Sequence, residues 1–94
     1  MITIHALKYN NHGKSANRKL RLEKKFPAIV YGGKKDSISI ILDQNIIMKL
    51  NNKKEFLYKS LILIIDGNNY QVKVQEIQFH PFKPIILHID FIYT

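Results

Sequence analysis

The run Leu57-Tyr58-Lys59-Ser60-Leu61-Ile62-Leu63-Ile64-Ile65-Asp66-Gly67-Asn68-Asn69-Tyr70-Gln71-Val72-Lys73-Val74 predicts a β-hairpin. Leu57 to Ile65 is an almost unbroken apolar strand, Asp66-Gly67 supplies two residues that tolerate positive φ, and Tyr70 to about Gln78 alternates polar with apolar as a return strand must. The same grammar extends both ways. Ile2 to Tyr9 reads as a first strand closed by Asn10-Asn11-His12-Gly13, and Ala28-Ile29-Val30-Tyr31 as a short strand stopped by Gly32-Gly33. Ile38, Ile40 and Leu42 alternate with Ser37, Ser39 and Ile41. His80-Pro81-Phe82-Lys83-Pro84 makes a stiff loop before a last strand from Ile85 to Tyr93. Two helices are expected. Residues 14–25 lack proline and β-branched residues, and end before Phe26-Pro27 because the residue preceding proline is pushed out of the α region. Asp43 caps a second, with Ile46, Ile47 and Leu50 as its apolar stripe and Asn51-Asn52 as its stop.

The expected fold is therefore mostly β, about six mainly antiparallel strands with two short α-helices. Many short strands in 94 residues protect their edges best by closing into a small barrel. One domain spanning residues 1–94 is expected, since a chain this short owns a single modest core. Cysteine is absent, which excludes disulfides, thiolate metal sites and a thiol nucleophile. No apolar run nears the ~20 residues of a membrane span and MITIHALKYN lacks a signal-peptide h-region, so a cytoplasmic protein without a membrane partner is expected.

Charge is the informative part. The net charge is +8, and all of it resides in residues 1–35, where nine bases face the single acid Glu23; the remaining residues balance six bases with six acids. A localised surplus points to a polyanion. At about 100° per residue, Lys14, Arg18, Arg21 and Lys25 fall within an arc of about 60° on the first helix, with Ala16 and Leu20 facing the core. Like charges at i,i+4 repel by about 0.2–0.5 kcal/mol, a penalty that a phosphate backbone would relieve. The lead-in through Gly13 and Ser15 leaves backbone N–H groups able to approach phosphate oxygens, and Lys8 and Lys19 add to the same cationic third. The phosphate-facing set is thus Lys8, Gly13, Lys14, Ser15, Arg18, Lys19 and Arg21.

In the last strand Ile85, Leu87, Ile89 and Phe91 are expected to be buried, with His88 and Asp90 on the opposite face. Gln71, Lys73 and Gln75 form a second polar row. Gln, His and Asp offer the donors and acceptors that read base edges, and Tyr31 could stack on a sugar or base. The same pattern equally describes a solvated sheet face and a barrel-edge tyrosine. His88-x-Asp90 is too sparse for a metal site, and no HxxxH or HExxH spacing occurs, so neither metal nor cofactor is expected. His12, His88 and Lys14 supply the residue types of a metal-independent ribonuclease, but no cleft or nucleophile constellation marks one, and a general polyanion binder is the other alternative.

The stretches Gly13-Lys14-Ser15-Ala16-Asn17-Arg18-Lys19-Leu20-Arg21, Phe26-Pro27-Ala28-Ile29-Val30-Tyr31-Gly32-Gly33, His80-Pro81-Phe82-Lys83-Pro84 and His88-Ile89-Asp90-Phe91 resemble the family of bacterial large-subunit ribosomal proteins numbered twenty-five, in its short form. The resemblance covers the whole chain. It implies a six-stranded barrel, no catalytic activity, 5S ribosomal RNA and neighbouring large-subunit components as partners, a ribosome-associated location and a monomer when free. It also implies docking on the loop E region, the sheet across the minor groove and the first helix along a widened groove beside it. Carried over by position, Lys14, Arg18 and Arg21 would meet phosphates, while Tyr31, Gln75, His88 and Asp90 would meet sugars and base edges. Tyr9 and Phe79 stand where the family often has a base, Asn17 where it has a small residue, and Ser15 where it has glycine.

Overall fold

A computed structural model describes residues 1–10 and 14–94, the side chains of 14–17 excepted. In chain order the elements are β1 (Thr3–Lys8), α1 (Lys14–Leu22), β2 (Lys25–Tyr31), β3 (Ile38–Asp43), α2 (Gln44–Asn51), α3 (Lys54–Tyr58), β4 (Leu61–Ile65), β5 (Asn68–Phe79) and β6 (Ile86–Tyr93). The strands form a closed barrel in the order β1-β3-β2-β6-β5-β4. Four neighbouring pairs are antiparallel; β2 with β6 and β4 with β1 run parallel, and the latter pairing closes the ring. The predicted barrel is what forms.

Its interior is apolar. Ile4, Ala28, Val30, Ile40, Leu42, Leu61, Leu63, Ile65, Val72, Ile89 and Phe91 point inward from the six strands, and no polar or charged residue is buried among the described residues. The hairpin forms at its predicted place. Asp66 and Gly67 both take positive φ, 51° and 80°, and Ile65 pairs with Asn68 across a two-residue turn whose backbone twist matches the strands. Asp43 caps α2 as expected, its carboxylate accepting from the Ile46 N–H at 3.1 Å.

Three local expectations are corrected. The first helix stops at Leu22 rather than 25, because Lys24 takes the left-handed conformation (φ 58°) that ends many helices and Lys25 joins β2. Lys25 therefore leaves the helical stripe. Pro27 lies inside β2 rather than before it; there β2 is laddered to β3 alone, and the β6 ladder starts only at Ala28. The strand expected from Leu57 starts at Leu61, since residues 54–58 form a third helix that drives Phe56 into the core with no exposed surface.

The last strand also departs from simple alternation. Phe79 pairs with Ile86 and Gln78 with His88, so Leu87 is an extra residue in β6; Val74 pairs with Phe91 and Glu76 with Asp90, so Gln75 is an extra residue in β5. Ile86 consequently takes the inward place expected of Leu87, and Ile85 and Leu87 are only half-buried. Gln44 secures the slipped residue: its Nε2 donates to the Ile86 carbonyl and its Oε1 accepts from the Ile86 N–H, both at 2.8 Å. One side-chain amide thus replaces a strand partner at the bulge.

Gln44→Ala should lower stability by about 1–3 kcal/mol by stranding that N–H and carbonyl, seen in urea as a lower midpoint at unchanged slope. Phe56→Ala should cost about 3–5 kcal/mol and Phe56→Leu much less; equal, small losses in the same urea titration would mean α3 does not seal the core.

Candidate nucleic-acid interface

Inward burial of Val30, Ile89 and Phe91 turns their neighbours Tyr31, His88 and Asp90 onto the outer wall, where β2 and β6 run side by side with Ile29 beside Asp90 and Tyr31 beside Ile92. The three polar side chains are joined. His88 Nδ1 lies 3.0 Å from Asp90 Oδ1, with the two side chains 31% and 28% exposed, and the Tyr31 hydroxyl donates to Asp90 Oδ2 at 3.4 Å. With Nδ1 turned to that carboxylate, Nε2 is the His88 nitrogen left to meet a ligand. Partial desolvation, then the Asp90 carboxylate with its hydrogen bond, then Glu76, hold the Tyr31 phenol above its usual value, so the hydroxyl remains a donor at neutral pH.

The register puts Glu76 directly opposite Asp90 and Gln78 directly opposite His88 on β5. Gln75, expected next to the pair, is the unpaired bulge residue and is exposed. Glu76 and Gln78 are the wall neighbours that sequence alternation missed. The signal was present only as a break in apolar spacing between Val74 and Ile77. Among the described residues no group of three His, Asp or Glu side chains is arranged to hold a metal.

The helical cations reach this wall at one end. Leu20 is buried under α1, while Arg18, Lys19 and Arg21 are exposed. Arg21, Lys24 and Lys25 line a cavity of about 140 Å³ together with Phe26, Pro27, Gln44 and Ile85 to Leu87. The cationic cavity therefore ends one residue from His88. Gly13, along with His12, lies outside the described residues, and so do the side chains of Lys14 and Ser15, whose backbone opens α1. Lys8 is not brought to this face. It pairs loosely with Asp66 at 3.6 Å and lines a separate, open cleft with Lys34 and Lys35.

A barrel wall carrying linked donors and acceptors beside a cationic helix end is a surface suited to a shaped polyanion. Comparison with known proteins agrees in kind. Residues 4–91 match the family model described as the Ribosomal L25p family. "Large ribosomal subunit protein bL25" of Sodalis glossinidius (strain morsitans) is 49% identical over 92 residues, 98% of each chain. The proteins of that name from Serratia proteamaculans (strain 568) and Photorhabdus laumondii subsp. laumondii are 47% identical over 91 residues, 97% of each chain, and 49% identical over 92 residues, 98% of each. With the family model spanning nearly every residue and relatives matching end to end, the chain belongs to the ribosomal L25p family.

Proposed function

We propose that this protein binds the loop E region of 5S ribosomal RNA, with the Tyr31–Asp90–His88 wall against the minor groove and α1 along neighbouring phosphates. Family membership makes the coarser statement plain: it is a structural, non-enzymatic component of the bacterial large ribosomal subunit, associated with the ribosome in the cytoplasm. The finer reading rests on one observation, the Tyr31–Asp90–His88 trio on the outer wall, one residue along β6 from the cavity that Arg21 lines.

The chemistry suits RNA rather than DNA. A-form RNA hides its major groove and presents 2′-hydroxyls and base edges in a wide, shallow minor groove, which polar side chains on a strand wall can meet. Asp90 has lone pairs beyond those used by Tyr31 and His88, so it can still accept from an amino or 2′-hydroxyl group. His88 Nε2 accepts when the ring is neutral and donates when it is protonated. Gln78 and the bulged Gln75 add amides able to do both. The exposed cations Arg18, Lys19 and Arg21 are long enough to follow phosphates, with Lys14, Ser15 and Gly13 assigned to the same strand by position. Their contribution is to affinity and orientation; the wall carries discrimination.

Gel-shift titration against 5S RNA with loop E intact, and with loop E replaced by plain duplex, tests the reading. Tighter binding to the intact form is expected. Equal binding to both would reject the loop E assignment and leave a general polyanion binder. Arg18→Ala should weaken binding to both RNAs and reduce the slope of log affinity against log salt by about one. Asp90→Ala frees both Tyr31 and His88, so it should cost about 1–3 kcal/mol of preference for intact loop E with the salt slope nearly unchanged. If Asp90→Ala leaves that preference intact, the wall does not read the RNA.

A further inference from the structure

The cleft at the far end of the barrel from the α1 cavity is unused by the site above. It has a volume of about 660 Å³, within the range of small-ligand sites, and it is open. Its lining includes the half-buried rings of Tyr70 and Tyr93, whose centroids are 6.1 Å apart with planes tilted by 52°. Around them stand the exposed side chains of Lys8, which pairs loosely with Asp66, and of Lys34 and Lys35, with the Asp36 carboxylate also in the lining.

The parts are held in place. The Tyr93 hydroxyl donates to the Asp36 carbonyl at 3.1 Å, tying the ring to the β2–β3 loop. Burial first, then Tyr70 and Asp36, keep that phenol above its usual value, so the donor persists at neutral pH. The loop is pinned at its root: Gly32 has φ 117°, and a Cβ there would lie 2.8 Å from the Ile92 side chain. No residue but glycine fits so close to β6, and this fixes where Lys34 and Lys35 emerge. Lys35 Nζ sits 4.9 Å from the centre of the Tyr93 ring, a cation resting over an aromatic face.

Aromatic faces recessed among ammonium groups form the standard chemistry for an unpaired nucleotide: the base stacks and the phosphates meet the cations. We propose that this cleft holds a single-stranded RNA segment, one base lying on Tyr93 and its flanking phosphates on Lys34, Lys35 and Lys8. The base takes the ring face that Lys35 now covers, and the displaced ammonium becomes a phosphate ligand. A paired helix does not fit, because its bases are stacked away from tyrosines that are themselves half-buried. The surface is distinct from the wall described above: Tyr93 packs with the core residues on the inward side of β6, whereas His88 and Asp90 project outward from it. The protein would thereby join a shaped helix and an unpaired strand at once. This inference extends the RNA reading to a second surface and does not depend on the loop E assignment.

The test is an amide-shift titration of the isotopically labelled full chain with a uridine hexanucleotide, before and after saturation with loop E RNA. Saturable shifts are expected at residues 34–39 and 92–94 in both states, while loop E RNA itself is read separately at residues 88–90. Lys34→Ala with Lys35→Ala should weaken hexanucleotide binding about tenfold and lower its salt slope by about 1.4, two single-strand phosphate contacts. Tyr93→Leu should weaken it about fivefold or more with heparin binding unchanged. Absence of shifts at 34–39, hexanucleotide shifts confined to 88–90, or indifference to the double lysine variant would each overturn the proposal. A failure of loop E binding alone would appear at 88–90 and leave this result standing.

Discussion

An apolar barrel interior, closed by the parallel pairing of β4 with β1, governs everything on the outside of this protein. A chain of 94 residues has little apolar surface to spare, and sixteen buried residues form one continuous cluster. With no polar or charged residue fully buried among the described residues, the charged residues of the strands have one destination, the outer wall. Tyr31, His88 and Asp90 stand in a row there because Val30, Ile89 and Phe91 fill the centre. Moving any of these strands by one residue would exchange the two sets, burying a carboxylate and exposing a phenylalanine, so the packing that holds the register also holds the surface chemistry.

Two bulges refine that arrangement. Between the inward residues Val74 and Ile77 of β5, and between Ile86 and Ile89 of β6, there are two intervening residues rather than one. The extra residues, Gln75 and Leu87, bend the pair and reset the alternation so that Glu76 meets Asp90 and Gln78 meets His88. Such a slip leaves backbone groups without partners, and at Ile86 the Gln44 amide supplies them. The first residue of α2 thus sets the position of the strand that carries the wall residues, and it does so within the same cavity that Arg21 lines.

Much of this was legible in the sequence where the signal was local. The Asp66-Gly67 turn, the Asp43 cap and the six apolar segments each follow from the chemistry of a few adjacent residues. The outward parity of Tyr31, His88 and Asp90 was readable because unambiguous aliphatic neighbours lie at alternate positions. What was not legible depended on tertiary context. Lys24 carries no mark of a left-handed residue, where glycine would have announced itself. Phe56 and Leu57 continue the apolar run into Leu61, so helix and strand look alike until a barrel end needs a plug. The bulge at Gln75 is invisible without its partner strand, which is why the polar row was extended one residue too regularly. The juxtaposition of Lys35 with Tyr93 joins positions far apart in the chain, and no spacing rule connects them.

The wall pairs groups that barrel packing alone does not call for. Cross-strand neighbours on a solvated sheet are most stable when opposite in charge or both apolar, and like charges facing one another are destabilising. Here Glu76 faces Asp90, and Lys73, opposite Ile92, is the cation on the same stretch of β5. The Tyr31 hydroxyl and the His88 ring lean towards Asp90, both with polar groups drawn partly out of water. Two facing carboxylates, in a protein whose net charge is +8, concentrate acceptors on one strip of the wall. Such local disagreement with the rules of folding is characteristic of sites shaped for a ligand, and this strip is where the proposed RNA contact falls. Its acceptors would repel a bare phosphate backbone and welcome exposed amino and hydroxyl edges, which is how a basic protein can still be selective among RNAs.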